Sequence, residues 1–435
     1  MKDKLFPCAV AFFTALFLLS SASFAGDLQV KKGDRVAIIG DSITEQKQYS
    51  KFMEAYLIAC VPELDLKVMQ YGWGGETAPG FTHRMAHDIM AWKPTLATTC
   101  YGMNDGAYRP YEDWIGKRYT EGMTNIIDFM KKNNIRMIVG SPGVVDTDTW
   151  NRGNPDADKF YNDNLTKLAN IAKDLAAKNG FPYSDVNGNM HISMKASKAK
   201  YGPNYHLGGG DGVHPWANGH LVMAYSFLKA MNFDGKIAQV TIDFGSKKAM
   251  AGKGHDVVNQ SVTADKGSVE LNSSKYPFCF EDNGNHADTN NLVGILPYVN
   301  FQKDLNVFEL KVASLPTAKA TVKWGSQSKE FSKEQLVAGI NLADEFYNNP
   351  FSGPFKNVLA QIAHKQHFET EMVKNIFSTM RSTQHHVFEQ KDKEEIAEIA
   401  KRFEQKYLDR HSFWTDTVRA SVKPVKHTIE VIPVK

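Results

Sequence analysis

Four side chains of the types that perform acyl transfer stand along the first half of the chain, at Ser42, Asn104, Asp211 and His214. A serine hydroxyl becomes a nucleophile when a histidine takes its proton, and a carboxylate holds that histidine in the required tautomer. The three-residue spacing of Asp211 and His214 lets one turn bring both side chains to one place. The amide of Asn104 and the backbone N–H of Gly75 are candidate donors to an oxyanion. This set predicts a hydrolase with a serine nucleophile.

Each of these residues taken alone has a simpler explanation. Ser42 and Asp211 are residue types that cap helices, and Gly75 and Asn104 are residue types found in turns. Their joint occurrence favours catalysis, because independent caps and turns are not expected to supply one complete site. Ser42 does not lie in a Gly-x-Ser-x-Gly pentapeptide, which argues against the nucleophile elbow of the α/β-hydrolases.

Short apolar runs alternate with helical spacing between residues 35 and 231. Strands are predicted at 36–39, 66–69, 96–100 and 135–139, and a short one at residue 183. Helices are predicted around 49–60, 126–130, 159–178 and 217–231. Such alternation predicts a parallel, doubly wound sheet, whose ligands bind beyond the carboxyl ends of the strands. Ser42, Gly75 and Asn104 each follow one of the first three predicted strands.

Four separated blocks carry a resemblance to a known family. They are Gly40-Asp41-Ser42, Gly75, Gly102-x-Asn104-Asp105 and Asp211-x-x-His214-Pro215. In order and spacing they resemble the blocks of the SGNH (GDSL-type) hydrolase superfamily, over residues 33–231. The resemblance implies a flavodoxin-like three-layer α/β/α fold and esterase or acylhydrolase activity, without a cofactor or metal ion.

The resemblance also implies a role for each site residue. Ser42 would be the nucleophile, His214 the base and Asp211 its orienting carboxylate. The oxyanion hole would comprise the N–H groups of Ser42 and Gly75 and the side chain of Asn104. One position departs from the family pattern, since the second block often opens with Asn where this chain has Gln70. We expect that change to affect loop packing more than chemistry.

The second half of the chain has a different pattern. Runs at 237–243, 268–271, 305–312 and 320–324 predict strands joined by turns. We therefore divide the chain into residues 1–25, a hydrolase domain at 26–232, a β-sandwich-like accessory domain at 233–330 and a helical region at 331–422. The strand-like segment 423–435 is a candidate to complete the accessory domain. These regions supply no second catalytic set, so we expect them to serve substrate presentation or packing.

The first 25 residues have the features of a signal peptide. Lys2 and Lys4 precede an apolar run at 6–19, and Ser23-Phe24-Ala25 is a small-x-small cleavage site. The run is shorter than the roughly 20 residues of a spanning helix, so we expect export to the periplasm or beyond without a stable membrane anchor. An uncleaved anchor helix is the alternative.

The remaining composition restricts partners and cofactors. The formal net charge of +3 falls to +2 without the leader. So small a positive charge does not indicate binding to nucleic acid or to an anionic membrane. His83 and His87 have the spacing of zinc ligands on a helix, but Arg84 stands where a metalloprotease has Glu. Three sparse cysteines do not form a disulfide framework, although a Cys60–Cys279 bridge stays open.

These observations favour an exported serine esterase that removes short acyl groups, acetyl foremost, from a carbohydrate or similar polar substrate. Four aromatic residues flank the motifs and would suit a sugar ring: Trp73, Tyr101, Tyr108 and Trp216. The alternatives are a lipid or lysophospholipid acylhydrolase, a non-catalytic ligand-binding module and a flavin-binding flavodoxin-like protein. The complete set of Ser42, Asn104, Asp211 and His214 favours catalysis over a binding module. We expect no cofactor.

Overall fold

The computed structural model describes residues 29–150, 160–383 and 390–435. The expected signal peptide lies outside these residues. None of the helices within the described ranges is long and apolar enough to cross a membrane.

A five-stranded parallel sheet forms the centre of the first half. Its strands are β1 (Arg35–Gly40), β2 (Lys67–Gln70), β3 (Leu96–Cys100), β4 (Arg136–Gly140) and β5 (Tyr183–Ser184), in the order β2-β1-β3-β4-β5. Alternate residues of β1 pack into two separate apolar clusters, with Val36 and Ile38 in one and Ala37 and Ile39 in the other. Both faces are therefore covered, as a parallel sheet requires, and the predicted three-layer α/β/α fold is confirmed.

Eight helices accompany this sheet in the described residues. They are α1 (Ser42–Glu45), α2 (Tyr49–Ala55), α3 (Ala78–Thr82), α4 (Met85–Trp92), α5 (Asp113–Lys132), α6 (Tyr161–Asn179), α7 (Val186–Tyr201) and α8 (Ala217–Ala230). The predicted helix at 49–60 forms, but α2 continues as a π-helical turn over Tyr56–Cys60. Helix α7 was not predicted, because the side that it buries includes Asn187, Ser193 and Ser197 and so lacks an apolar stripe.

The accessory region contains two further sheets. Its strands are β6 (Lys236–Asp243), β7 (Lys248–Ala251), β8 (His255–Val262), β9 (Gly267–Ser273), β10 (Val307–Ala313), β11 (Lys319–Trp324), β12 (Gln327–Ser332), β13 (Ile340–Asn341) and β14 (Val425–Val434). A mixed sheet has the order β13-β10-β6-β7, and an antiparallel sheet has the order β12-β11-β14-β9-β8. Phe308 of the first and Trp324 of the second pack with ring centroids 5.0 Å apart.

Several strands of this region differ from the sequence expectations. Strands β7, β8 and β12 were not predicted. The central six residues of β8 are exposed and give no apolar alternation. Strand β13 pairs with β10, so the first sheet extends past residue 330, where we expected the region to end. Strand β14 lies between β11 and β9, which places residues 425–434 inside the second sheet. Short helices α9 (Phe301–Leu305), α10 (Lys333–Ala338) and α11 (Leu342–Glu345) connect the strands.

The helical region packs on the hydrolase domain. It comprises α12 (Ser352–Glu371), a π-helical turn (Met372–Phe377), α13 (Ser378–Thr383) and α14 (Gln390–Ser421). The fully buried ammonium of Lys365 lies 2.9 Å from Glu54 of α2 and 2.5 Å from Glu369, and donates to the carbonyl of Val68 in β2 at 2.7 Å. His411 of α14 contacts Glu369 at 2.8 Å. Because buried charges are costly unless paired, this cluster fixes α12 and α14 to the edge of the sheet.

The thiols of Cys60, Cys100 and Cys279 are all buried and free. The Cys60–Cys279 bridge that the sequence left open is not formed. Burial raises the pKa of the Cys60 thiol, so this thiol is poorly suited to react.

Candidate active site

Ser42 lies at the junction of β1 and α1. Strand β1 ends at Gly40, and the buried carboxylate of Asp41 caps α1 by accepting a hydrogen bond from the backbone N–H of Ile43 at 3.0 Å. Burial raises the pKa of Asp41 to about 7. Ser42 is the first residue of α1, where backbone N–H groups lack intrahelical partners. Asp41, and not Ser42, therefore caps α1. The hydroxyl of Ser42 remains available to react.

The imidazole of His214 links Ser42 to Asp211. Its Nε2 lies 2.8 Å from Ser42 Oγ, and its Nδ1 lies 2.6 Å from Asp211 Oδ2. Asp211 Oδ1 accepts the backbone N–H groups of Val213 and His214 at 3.0 and 2.9 Å. Burial alone would raise the pKa of Asp211, but these hydrogen bonds outweigh it and lower the pKa. A carboxylate that stays ionised holds the proton on Nδ1 and leaves Nε2 free to accept one from Ser42.

The glycines before Asp211 hold the loop in a tight turn. Gly209 has φ +79°, and a Cβ there would lie 1.9 Å from the carbonyl oxygen of His214. Thr149 donates to the carbonyl of Gly209 at 3.1 Å, and Asp146 N–H donates to the carbonyl of Gly212 at 2.7 Å. The loop is thereby fixed on both sides of Asp211.

Gly75 and Asn104 lie on neighbouring loops. Gly75 belongs to the segment Gly72–Glu76 after β2, which we call the oxyanion loop, and Asn104 follows β3. Asn104 Nδ2 donates to the carbonyl of Glu76 at 3.0 Å, while its Oδ1 accepts from the Tyr108 hydroxyl at 2.7 Å. An amide nitrogen carries two hydrogens, so one remains for a ligand. Within the described residues, the backbone N–H of Gly75 makes no hydrogen bond.

A buried ion pair that sequence reasoning missed supports the oxyanion loop. Arg84 donates to both carboxylate oxygens of Glu76, at 2.6 and 2.7 Å, and to the carbonyl of Tyr71 at 2.7 Å. The Tyr101 hydroxyl adds a third bond to Glu76 at 2.6 Å. A two-pronged guanidinium–carboxylate pair fixes orientation as well as distance. No local pattern predicts this pair, because Glu76 and Arg84 are eight residues apart across a turn and a short helix.

The four aromatic residues flanking the motifs have different roles. Tyr101 is fully buried, Tyr108 supports Asn104, and Trp73 lies under cationic side chains. Trp216 is 38% exposed and follows His214 by two residues. Among these four, Trp216 therefore has the most ring surface to offer to a substrate beside the triad.

Gln70, the position that departs from the family pattern, connects two regions. Its Oε1 accepts the backbone N–H of Gly72 at 2.9 Å, and its Nε2 donates to the hydroxyl of Thr370 in α12 at 2.9 Å. The extra methylene of Gln relative to Asn lets this side chain reach both partners. The expected effect on loop packing thus has a physical basis in the contact with α12.

The triad lies at the protein surface, since the side chains of Asp211 and His214 are 57% and 33% exposed. A cavity of about 740 Å³ lies between the hydrolase domain, β6 and the segment after α14, and is lined by Leu57, Lys236 and Arg419 among others. That cavity includes none of the triad residues. Within the described ranges, no group of three or more acidic, His or Cys side chains is arranged to hold a metal ion. His87 contacts Asp88 and Glu404 instead.

This arrangement belongs to a serine ester hydrolase, and comparison with known proteins agrees. Residues 38–222 match the GDSL-like Lipase/Acylhydrolase family, and the chain carries a domain of that family. An acetylxylan esterase of Geobacillus stearothermophilus is 21% identical over 239 residues, which are 48% of this chain and 98% of the relative.

Two solved structures are similar. A gut microbial diltiazem-metabolizing enzyme is 21% identical and has a TM-score of 0.69, over 93% of this chain and 98% of that one. A crystal structure of the Geobacillus stearothermophilus acetylxylan esterase is 21% identical with a TM-score of 0.39, over 47% of this chain and 97% of that one. The similarity to the diltiazem-metabolizing enzyme shows that the shared fold includes the accessory and helical regions.

Proposed function

We propose that this protein is an exported esterase that removes short acyl groups, acetyl foremost, from a carbohydrate through a Ser42–His214–Asp211 triad. The observation that carries the proposal is the continuous hydrogen-bonded chain from Ser42 Oγ through His214 to Asp211, with distances of 2.8 and 2.6 Å. It gives each of the three residues a contact that its proposed role requires.

The reaction proceeds in two steps. His214 Nε2 takes the proton of Ser42 as Oγ attacks the ester carbonyl, and the oxyanion accepts hydrogen bonds from the N–H groups of Ser42 and Gly75 and from Asn104 Nδ2. His214 then protonates the leaving alcohol, and an acyl-enzyme remains. Water attacks this intermediate with His214 again as base, and the acid and free Ser42 are released.

Three features support a short acyl group on a polar alcohol. Asp211 and His214 lie at the protein surface, so a large alcohol has access to Ser42. Trp216 presents an exposed ring two residues after His214, and aromatic faces combined with polar groups suit sugar rings. The Geobacillus stearothermophilus relative is an acetylxylan esterase. Export rests on the leader-like residues 1–25 alone.

A substrate panel tests the proposal. We expect p-nitrophenyl acetate to be hydrolysed faster than the butyrate and octanoate, and acetylated xylan to release acetate, with both activities lost in Ser42→Ala. Diltiazem belongs in the panel, because the protein with the similar full-length fold is described as metabolizing it. Rates that increase with acyl length would support the lipid acylhydrolase instead, and full activity in Ser42→Ala would exclude the proposed nucleophile.

A further inference from the structure

The oxyanion loop is held from the helical region as well as from its own domain. The backbone N–H of Gly74 donates to Glu45 Oε2, and the ammonium of Lys374 lies 2.8 Å from Glu45 Oε1. Lys374 belongs to the π-helical turn Met372–Phe377, outside the region that matches the hydrolase family. The carboxylate of Glu45 therefore joins Gly74, the residue next to Gly75, to a cation that lies 329 positions from Glu45 in the sequence.

Glu45 is well placed to transmit this contact, because it lies in the same short helix as Ser42. The oxyanion loop also packs directly on the backbone of Glu45, since a Cβ on Gly72 would lie 2.2 Å from Glu45 N. This close approach leaves room only for glycine at position 72. A movement of Glu45 would therefore shift the loop relative to Ser42.

Trp73 forms a second connection between the same two regions. Its ring has Arg84 at 5.2 Å, Lys374 at 5.4 Å and Arg381 at 5.8 Å from the ring centroid. Cations within about 6 Å of an aromatic face are attracted to it. Lys374 thus contacts the oxyanion loop twice, through Glu45 to Gly74 and directly over Trp73.

The backbone that carries Lys374 is itself fixed. Met372, Val373 and Phe377 of the same π-helical turn are fully buried, and the side chain of Lys374 is 34% exposed. The turn is anchored by its apolar residues while the ammonium extends to Glu45. Single-turn π-helices occur frequently at functional sites.

We propose that Lys374 is a positioning residue for catalysis, which holds Glu45 so that the Gly74–Gly75 peptide keeps the geometry required of an oxyanion donor. Lys374 touches no reacting atom and acts through Glu45 and Trp73. The inference rests on the proposed role of Gly75 in the oxyanion hole. It assigns the helical region a part in catalysis that is distinct from substrate presentation.

The test compares Lys374→Met with Lys374→Arg in the full-length protein, using p-nitrophenyl acetate. Loss of the cation frees Glu45 to turn to solvent, so kcat of Lys374→Met should fall by about tenfold, less than the 10²–10³ lost when an oxyanion donor is removed. KM should stay within about twofold, because the oxyanion develops only in the transition state. Lys374→Arg keeps the charge and should recover most of kcat.

Lys356→Met is the matched control. Lys356 lies on α12 and pairs with Glu281 at 2.8 Å, with both side chains at least 70% exposed, so kcat and Tm should match wild type. Unchanged kcat in Lys374→Met would overturn the proposal. So would a loss of kcat that accompanies a large fall in Tm and that Lys374→Arg does not restore, since that pattern marks a structural role.

A double-mutant cycle with Glu45→Gln provides the second measurement. If Lys374 acts through Glu45, the double variant should lose little more kcat than either single variant. If the losses of kcat in the two single variants add in the double variant, Lys374 does not act through Glu45. The proposed function is tested separately, because its failure would appear as wild-type protein without Ser42-dependent hydrolysis, whereas failure of this inference leaves that hydrolysis intact.

Discussion

The side-chain amide of Asn104 donates a 3.0 Å hydrogen bond to the carbonyl of Glu76, the residue that follows Gly75. The two proposed oxyanion donors that come from different loops are thereby joined. The carboxylate of Glu76 is held in turn by Arg84 and by the Tyr101 hydroxyl. Oxyanion stabilisation requires donors that are oriented before the reaction, and the buried ion pair of Glu76 with Arg84 holds the residue between these two donors in place.

Asn104→Ala should lower kcat by about 10²–10³ with little change in KM, because the amide bonds a charge that exists only in the transition state. Steady-state kinetics with p-nitrophenyl acetate measure both parameters. Tyr108→Phe is the control, since it removes the hydroxyl that contacts Asn104 Oδ1 and leaves the donating nitrogen in place. A raised KM with constant kcat would make Asn104 a contact to the bound substrate instead.

Asp211→Asn should leave the loop intact and reduce the rate by up to about 10⁴, as expected when the base is left in the wrong tautomer. The Asn Oδ1 can still accept the N–H groups of Val213 and His214 that Asp211 accepts now. An unchanged Tm would show that the loop persists. A loss of less than about threefold, which is under 1 kcal/mol, would show that Asp211 only caps the turn.

Lys365→Met should destabilise the protein by about 3–5 kcal/mol, the usual cost of leaving buried charges unpaired. Glu54 and Glu369 both lose their cation, and neither is exposed to solvent. Urea unfolding measures the change, and Lys356→Met should unfold like wild type because its ion pair is exposed. Equal stability of the two variants would mean that the buried cluster does not fix α12 to the sheet.

A buried histidine of the accessory region, His427, should contribute a loss of stability in mild acid. His427 Nδ1 accepts from the indole N–H of Trp324 at 3.1 Å, and Nε2 lies 2.9 Å from Ser273 Oγ, so the ring is satisfied when neutral. Burial, and then the nearby His255, lower the pKa of His427 from 6.5 to about 3. The unfolded chain binds this proton below pH 6.5 and the folded protein does not. The contribution of His427 to stability is therefore complete above pH 6.5 and is lost as pH falls towards 3.

The expected slope is about 1.4 kcal/mol per pH unit for one proton. His220, whose pKa burial also lowers to about 3, adds a second proton. Urea unfolding of wild type and His427→Gln between pH 7.5 and 4.5 isolates the contribution of His427 from those of the other buried groups. The variant, although less stable at pH 7.5, should show a slope that is smaller by one proton. Identical slopes would contradict the assignment to His427.

Most residues of the candidate active site could be predicted from the sequence, because three of them follow consecutive strands of one sheet. Ser42, Gly75 and Asn104 each come after an apolar run, and the carboxyl ends of parallel strands lie at one edge. Asp211 and His214 are close in sequence, so one turn was enough to predict their pairing. Local pattern and the topology of parallel sheets together determine these positions.

The contacts that hold the oxyanion loop against the helical region could not be predicted in the same way. Glu45 and Lys374 lie in elements whose separation in sequence gives no local signal, and nothing in the composition around Lys374 distinguishes it from other surface lysines. Gln70 was recognised as a departure, but its partner Thr370 lies 300 positions away. We expected the accessory and helical regions to serve substrate presentation or packing. The buried contacts of Lys365 with Glu54 and Val68 predict that a chain ending near residue 232 loses its stability.

The position of β14 has a consequence for the order of folding. Val425 pairs with Ser273, and Glu430 pairs with Lys323, so β9 and β11 are separated until a strand synthesised about 100 to 150 residues later enters between them. During synthesis both strands present unpaired backbone edges, which readily recruit other chains. Closure over so long a loop is slow. Aggregation should therefore compete with this late insertion during refolding. The yield of folded protein should depend on how quickly β14 pairs with β9 and β11.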